Sequence, residues 1–425
     1  MLDIRLIRER PDFVKAELAR LGFVAEHIDT ILRIDKQRRE AIQQVESLRA
    51  QRAETSRTIG KQAPAERDRL KVEMRAVGDR IATLEQELAA IEAAFNTKML
   101  DVPNLPDTSV PLGQDDRDNT VLRSQGQPRQ FGFAPRPHWE LAPELGILDF
   151  DRGVKISGSR FYVLRGAGAA LQRALIAWML DLHTREHGYT EIYPPYLVKR
   201  DCLYGAGQLP KFEDNIYRDA EDDLYLVGTA EIPVTNLHRD EVLPPGTLPL
   251  SYVAYSACFR REKMSAGRDV RGIKRGHQFD KVELYKLVEP AQSPAALEQI
   301  VTHASEVARR LEIPYRIINI CTGDLGFVAA KKYDIEMWAP GCNEWLEVSS
   351  CSNCTDFQAR RTSIRYRPSL NAKPEFVHTL NGSGLALPRV MIAVLENYQQ
   401  EDGSVVIPAV LRPFMGGRER IEPAA

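Results

Sequence analysis

Cysteine is scarce: six in 425 residues, too few for a disulfide framework, so a reducing compartment is the expectation. No apolar run approaches the ~18–20 residues that a membrane-spanning helix needs. The opening Met1-Leu2-Asp3-Ile4-Arg5 carries charges where a secretory signal needs an apolar stretch, and a cytoplasmic location without membrane attachment is expected. Neither sign of charge dominates. Lys and Arg number 57 against 59 Asp and Glu, so the chain is not a polybasic coat, and any polyanion must be met by a local patch. Several nucleotide and metal signatures are missing: no G-x-x-x-x-G-K-[ST], no G-x-G-x-x-G opening a helix, no H-E-x-x-H. Cys351-Ser352-Asn353-Cys354 is a lone C-x-x-C. Its nearest other sulfur is Cys342 and its nearest histidines are His303 and His378, so no structural zinc is expected. It lacks the βαβ setting of a thiol redox site as well.

What is present is apolar material for a large core, 43% of residues, with 27% charged. At ~150 residues per domain, two or three domains are expected. The first is announced by periodicity. One seam runs Ile31, Ile34, Arg38, Ala41, Val45, Leu48, Arg52, Thr55, Ile59, in steps of three and four. A second, Leu70, Met74, Val77, Ile81, Leu84, Leu88, Ile91, Phe95, is apolar throughout, over about four heptads. Gly60 and Pro64 punctuate the two, and Pro103, Pro106 and Pro111 end the second. The pattern predicts two antiparallel helices folded into a coiled-coil arm roughly 45 Å long. An N-terminal domain over 1–110, with the arm at about 28–98, is followed by a Pro/Asp/Gly/Gln-rich linker at 111–135 and a body at 136–425.

Around the tip of the arm, from Arg49 to Arg80, nine basic residues face five acidic ones in a chain of net charge −2. Arg49, Arg52, Arg57, Lys61, Arg67, Arg69, Lys71 and Arg75 are the candidate contacts to the phosphates of a structured RNA. A solvated helix face and a dimerising coiled coil are the alternatives.

The body mixes helices such as 170–187 and 294–311 with strand-like runs at 224–227, 251–260, 278–288, 315–320, 333–338 and 345–350. Without a regular βαβ rhythm, this predicts an α+β domain: a mostly antiparallel sheet flanked by helices. Two segments carry chemistry. In Phe259-Arg260-Arg261-Glu262, a strand would project Arg260 and Glu262 to one face, ahead of the basic loop 263–272 and a returning strand. A guanidinium there suits a phosphate, although a salt-bridged surface hairpin has the same composition. In Asn381-Gly382-Ser383-Gly384-Leu385-Ala386-Leu387-Pro388-Arg389, Arg389 falls in the first turn of a helix. A cation there opposes the helix dipole and is unfavourable unless an anion is bound nearby, which makes Arg389 a candidate phosphate ligand rather than a stray surface charge.

These segments resemble motifs 2 and 3 of the class II aminoacyl-tRNA synthetases, and helix 170–187 with Tyr189–Val198 resembles motif 1, their dimer-forming element. Within that class, Thr229-Ala230-Glu231, the run from Glu347 to Cys354 and the N-terminal hairpin resemble the bacterial-type seryl-tRNA synthetases, over almost the whole chain. The resemblance implies a homodimeric ligase that activates L-serine with ATP and Mg²⁺ and transfers it to the 3′ end of tRNA(Ser), and also tRNA(Sec). Carried over by position, Arg260 and Arg389 are the catalytic cations on the α- and γ-phosphates. Arg260, Arg261, Glu262, Glu347, Val348, Ser349, Ser350 and Arg389 bind ATP, with Glu262 at the adenine end. Glu347 and Ser350 supply oxygens to Mg²⁺. Thr229, Ala230, Glu231, Arg260, Glu283 and Ser383 surround serine. No general base is needed, because serine's carboxylate is the nucleophile, and His277 is read as a supporting strand residue. Arg261, Lys263, Gly276 and Pro388 depart from the family's usual residues. Two other readings are an amino acid–carrier protein ligase, which would lack the arm and use zinc, and a non-catalytic RNA-binding paralogue, which would show damage at Arg260, Glu262, Glu347 or Arg389.

Overall fold

The computed structural model describes residues 1–263 and 271–424; most of the basic loop 263–272 lies outside the described residues. The chain divides into two compact units, Met1–Pro103 and Asn104–Ala425.

The first unit is helical: α1 (Ile4–Glu9), α2 (Pro11–Ala19), α3 (Glu26–Thr58) and α4 (Pro64–Leu100). The last two pair as the heptad pattern predicts. Ile31, Ala41 and Val45 of α3 and Val77, Ile81, Leu84 and Phe95 of α4 are buried along the shared seam. The turn between them is a short 3-10 segment, Ile59–Lys61, and Pro64 opens α4 where its missing N–H is harmless. Toward the tip the α3 seam becomes polar, and Arg52 there is exposed. The 33 residues of α3 make an arm about 50 Å long. At its base Asp35 is fully buried and clamped by Arg8 (2.6 and 2.7 Å) and Arg39 (3.2 Å). Burial pushes that carboxyl up, and the two guanidiniums outweigh it, leaving it below its usual value.

The second unit is built on an eight-stranded sheet. Its strands are β1 (Thr120–Gln125), β2 (Thr190–Ile192), β3 (Leu250–Phe259), β4 (Gln278–Val288), β5 (Tyr315–Asn319), β6 (Lys331–Ala339), β7 (Glu344–Asn353) and β8 (His378–Ala386). The spatial order is β1-β5-β6-β7-β8-β4-β3-β2. Every neighbour is antiparallel except β2, which runs parallel to β3. The sequence reading places β3, β4, β5, β6 and β7 within a residue or three of these bounds. It misses β2, it misses β8, whose Gly382 and Gly384 read as a tight turn, and it misses β1, which lies inside the stretch expected to be a linker. All six residues of β1 are exposed, so no alternation betrays a strand, and only its pairing with β5 defines it. The domain boundary also falls earlier than 110. Asn104 already belongs to the second unit, donating through Nδ2 to Val328 O and Cys354 O at 2.9 Å.

Four helices of this unit matter for the site: α5 (His138–Glu144), α6 (Ala167–Arg185), α7 (Ser293–Arg310) and α8 (Leu387–Tyr398). Leu175 of α6, Ile300 of α7 and Val390 of α8 share one core with Val282, Leu284 and Ile335 of the sheet. Strand alternation then puts Lys281, Glu283 and Asp334 on the other face. Gly382 in β8 permits the close approach of α7, because a Cβ there would collide with Ile300 Cγ2. Among the described residues no helix is long and apolar enough to cross a membrane.

Candidate active site

On the polar face of the sheet lies a cleft of about 370 Å³. Two β-bulges decide which side chains enter it. Between β4 and β8 the register passes from Val282–Leu385 to Glu283–Ser383, skipping Gly384. Between β6 and β7 it passes from Ile335–Ser349 to Glu336–Glu347, skipping Val348. An inserted residue reverses the alternation, so Ser383 and Ala386 face the cleft together, and so do Glu347 and Ser350.

One end of the cleft is anionic and hydroxylic. Thr229 Oγ1 donates to Glu283 Oε2 (3.2 Å) and accepts from the Glu231 amide (3.2 Å). Glu231 Oε1 accepts from Gln358 Nε2 (2.7 Å) and Asn381 Nδ2 (3.0 Å), and Lys281 pairs with Glu283. Burial first, and then the neighbouring Glu283, push the Glu231 carboxyl up to about 7. A buried carboxylate pair of this kind is stabilised by a ligand cation.

The other end is cationic. The chain leaves β3 after Phe259, and Glu262 takes a left-handed backbone with φ of 51°. Arg260 and Glu262 therefore reach the cleft through a turn rather than along one strand face, which corrects the sequence reading. Arg260 is fixed by its amide to His277 O (2.9 Å), by Nε to Gly228 O (3.1 Å), and by its guanidinium 5.1 Å from the centre of the Phe279 ring. His277 Nδ1 stands 3.0 Å from Arg260 O, a carbonyl that only accepts, so the ring is a structural donor. Glu262 faces Arg275 at 3.8 Å. Arg389, in the first turn of α8 after Pro388, donates to Glu347 O (2.6 Å) and lies 3.5 Å from Glu347 Oε2. Withdrawal from water raises the Glu347 carboxyl, but Arg389, Lys332, Arg260 and Arg275 outweigh it and hold it below its usual value. Asp334, paired with Ser350 across the strands, is pushed up to about 7 by burial and by Glu347, and its Oδ1 is buried without a hydrogen-bond partner among the described residues.

Thr229, Glu231, Arg260, Glu262, Glu283, Glu347, Val348, Ser350, Ser383 and Arg389 thus converge on one cleft. Three predicted residues stand apart from its lining. Ala230 is buried in a small core with Tyr285 and Val377. Ser349 lies behind the wall, donating to Ser383 O at 2.6 Å. Arg261 points outward, with Nε to Ile216 O (3.0 Å) and its guanidinium over Tyr217. The departure at Gly276 lines the cleft, and a Cβ there would meet Gln278 O at 3.0 Å. On the separate arm, Arg49, Arg52, Arg57, Lys61, Arg69, Lys71 and Arg75 are exposed and Arg67 is half-buried. Arg49 pairs with Glu85, Arg69 with Glu66, and Lys71 with Asp68. Cys351 and Cys354 are buried free thiols.

Lys281, Asn381, Gln358, Arg275 and Asp334 are the site residues that sequence reasoning missed. Lys281 and Asn381 were findable, because each stands two residues before a predicted ligand on the same strand face. Gln358 and Asp334 carry no such local signal.

An antiparallel sheet backed by helices, an arginine where one strand ends and another in the first turn of the helix after a glycine-bearing strand define the core of a class II aminoacyl-tRNA synthetase. The family description "tRNA synthetase class II core domain (G, H, P, S and T)" matches residues 211–398, and "Seryl-tRNA synthetase N-terminal domain" matches residues 1–106. The chain is 62% identical over 423 residues to a serine–tRNA ligase of Thermomicrobium roseum, covering 99% of this chain and 95% of that one. It is 59% identical over 424 residues to a serine–tRNA ligase of Chloroflexus aurantiacus, covering 100% of both. Among solved structures, the seryl-tRNA synthetase of Pyrococcus horikoshii complexed with ATP superposes with a TM-score of 0.93 at 41% identity, covering 100% of both chains. The cytoplasmic serine–tRNA ligase of Naegleria fowleri in complex with AMP gives a TM-score of 0.88 at 30% identity, covering 100% of this chain and 99% of that one. The chain belongs to the seryl-tRNA synthetase family.

Proposed function

We propose that this chain ligates L-serine to tRNA(Ser), and also to tRNA(Sec), in two steps at the cleft. The observation that carries the reading is the convergence of Glu231, Glu283, Thr229 and Ser383 at one end with Arg260 and Arg389 at the other. Glu231 and Glu283 take serine's ammonium, and Thr229 and Ser383 bond its hydroxyl. Alanine would leave those polar groups unpaired and is rejected. Arg260 draws serine's carboxylate and the α-phosphate of ATP together, and Arg389 holds the γ-phosphate. A carboxylate oxygen attacks the α-phosphorus, pyrophosphate leaves, and seryl-adenylate forms. A hydroxyl at the tRNA 3′ end then attacks the seryl carbonyl, and AMP leaves. Catalysis is positioning and charge neutralisation by fixed groups.

Glu347 and Ser350, on one face, with Asp334 paired to Ser350 and its Oδ1 unpartnered among the described residues, are the hard oxygen donors that fit Mg²⁺. Bound there, Mg²⁺ would neutralise phosphate charge. The exposed basic residues of the arm hold the tRNA, and a homodimer in the cytoplasm presents one subunit's arm to the other's cleft. The test is ATP–pyrophosphate exchange with serine, alanine, threonine, glycine and cysteine. Exchange with serine alone supports the reading, and exchange with none, from folded protein, refutes it.

A further inference from the structure

We infer that His138 is a positioning residue for the ATP end of the cleft, acting through a buried hydrogen bond from the Ile273 amide to its Nε2. The inference rests on the reading that ATP occupies the cleft. His138 opens α5 and is fully buried. The Ile273 N–H lies 3.2 Å from Nε2. An amide can only donate, so Nε2 carries the lone pair and the ring proton sits on Nδ1. Nδ1–H donates to Glu396 Oε1 at 2.9 Å, and so does the His138 backbone N–H, also at 2.9 Å. Glu396, fully buried in α8, further accepts from the Cys342 amide (2.9 Å) and the Cys342 thiol (3.0 Å). Burial and Glu396 push that thiol up, so it stays protonated and donates.

One carboxylate therefore ties together α5, the turn between β6 and β7, and the same helix that carries Arg389. His138 extends this tie to the end of the motif 2 loop. The contact is intimate: Gly272 has a φ of 71°, and a Cβ there would collide with the His138 ring. The two residues after Ile273, Lys274 and Arg275, line the cleft. Lys274 Nζ reaches Glu344 Oε2 at 2.7 Å, and Arg275 faces Glu262. The nitrogen, sulfur and carboxylate atoms of His138, Cys342 and Glu396 lie within 4.8 Å of one another, the spacing of a metal site. Each is already engaged as donor or acceptor with the others, and two backbone amides share the carboxylate. The set is complete as a hydrogen-bond network, and it positions protein rather than metal.

Two amides separate the two ring nitrogens. In His138→Gln the side-chain oxygen reaches the place of Nε2 and restores the acceptor for Ile273. In His138→Asn the amide reaches only the place of Nδ1 and keeps the link to Glu396. Loss of one positioning hydrogen bond predicts an about tenfold higher KM for ATP in His138→Asn, with KM for serine unchanged and KM for ATP within about twofold of the parent in His138→Gln. Equal behaviour of the two variants, or a joint rise of both KM values, overturns the proposal. If neither variant folds, amide hydrogen exchange on the unaltered full chain decides. An Ile273 amide protected like those of β4 supports the bond, and one exchanging freely overturns it. Serine-dependent exchange by the unaltered enzyme, run alongside, separates failure of this inference from failure of the ATP reading.

Discussion

Serine binding at pH 7 should release about half a proton per chain, and the source is Glu231. Its carboxyl, pushed up to about 7, is about half protonated at that pH in the free protein. A serine ammonium beside it lowers the value by about 2 units, so the bound form is ionised. The proton released is then ~0.8 at pH 6, ~0.5 at pH 7 and ~0.1 at pH 8, and apparent serine affinity improves close to tenfold from pH 6 to pH 8. Calorimetry of serine binding in two buffers of different ionisation enthalpy counts the proton directly. Glu231→Gln is the control: its side-chain oxygen still accepts from Gln358 and Asn381, but it has no proton to lose. No release by the unaltered chain at pH 7, or equal release by the variant, refutes the assignment. The stability effect has the opposite sign. A carboxyl raised from 4.5 to about 7 favours the folded state fully below pH 4.5, and that contribution, ~3 kcal/mol, is lost as pH rises through 7. Free protein should therefore soften progressively from about pH 5 to about pH 7 in urea unfolding and level off above that, and added serine should restore it.

Arg389→Ala removes charge-assisted hydrogen bonds worth ~1.5–3 kcal/mol, so kcat/KM in ATP–pyrophosphate exchange should fall about ten- to a hundredfold with the fold kept; unchanged exchange would contradict the phosphate role. Deleting about 35–95 should spare serine activation and abolish charging of tRNA, and a deletion that still charges would sink the arm's role. Gly382→Ala forces a methyl against Ile300 and should cost ~1–3 kcal/mol in denaturant unfolding; full stability would show that α7 can move away.

Repetition made the arm legible. Each seam residue of α4 from Leu70 to Phe95 is buried or half-buried, because a heptad states its own geometry. Strands β3 to β7 were legible for a similar reason, and the motif residues through their family pattern; β8 was not, because its glycines read as a turn. What escaped depends on distant partners. Strand β1 exists only because β5 lies beside it. The skipped residues Gly384 and Val348 reverse the facing of the next residues, and nothing in a single strand's sequence marks where its neighbour slips. Glu396 lies far along the chain from His138, and no spacing rule joins them.

A helical hairpin returns to its starting point. Adding one heptad to α3 and a matching one to α4 would lengthen the arm by ~10 Å and leave the first and last turns side by side as before. The buried Asp35 clamp at the base would not register the change, since Arg8 and Arg39 both lie on the base side of such an insertion. Reach is therefore a dial that mutation can turn in whole heptads, independently of the chemistry in the cleft.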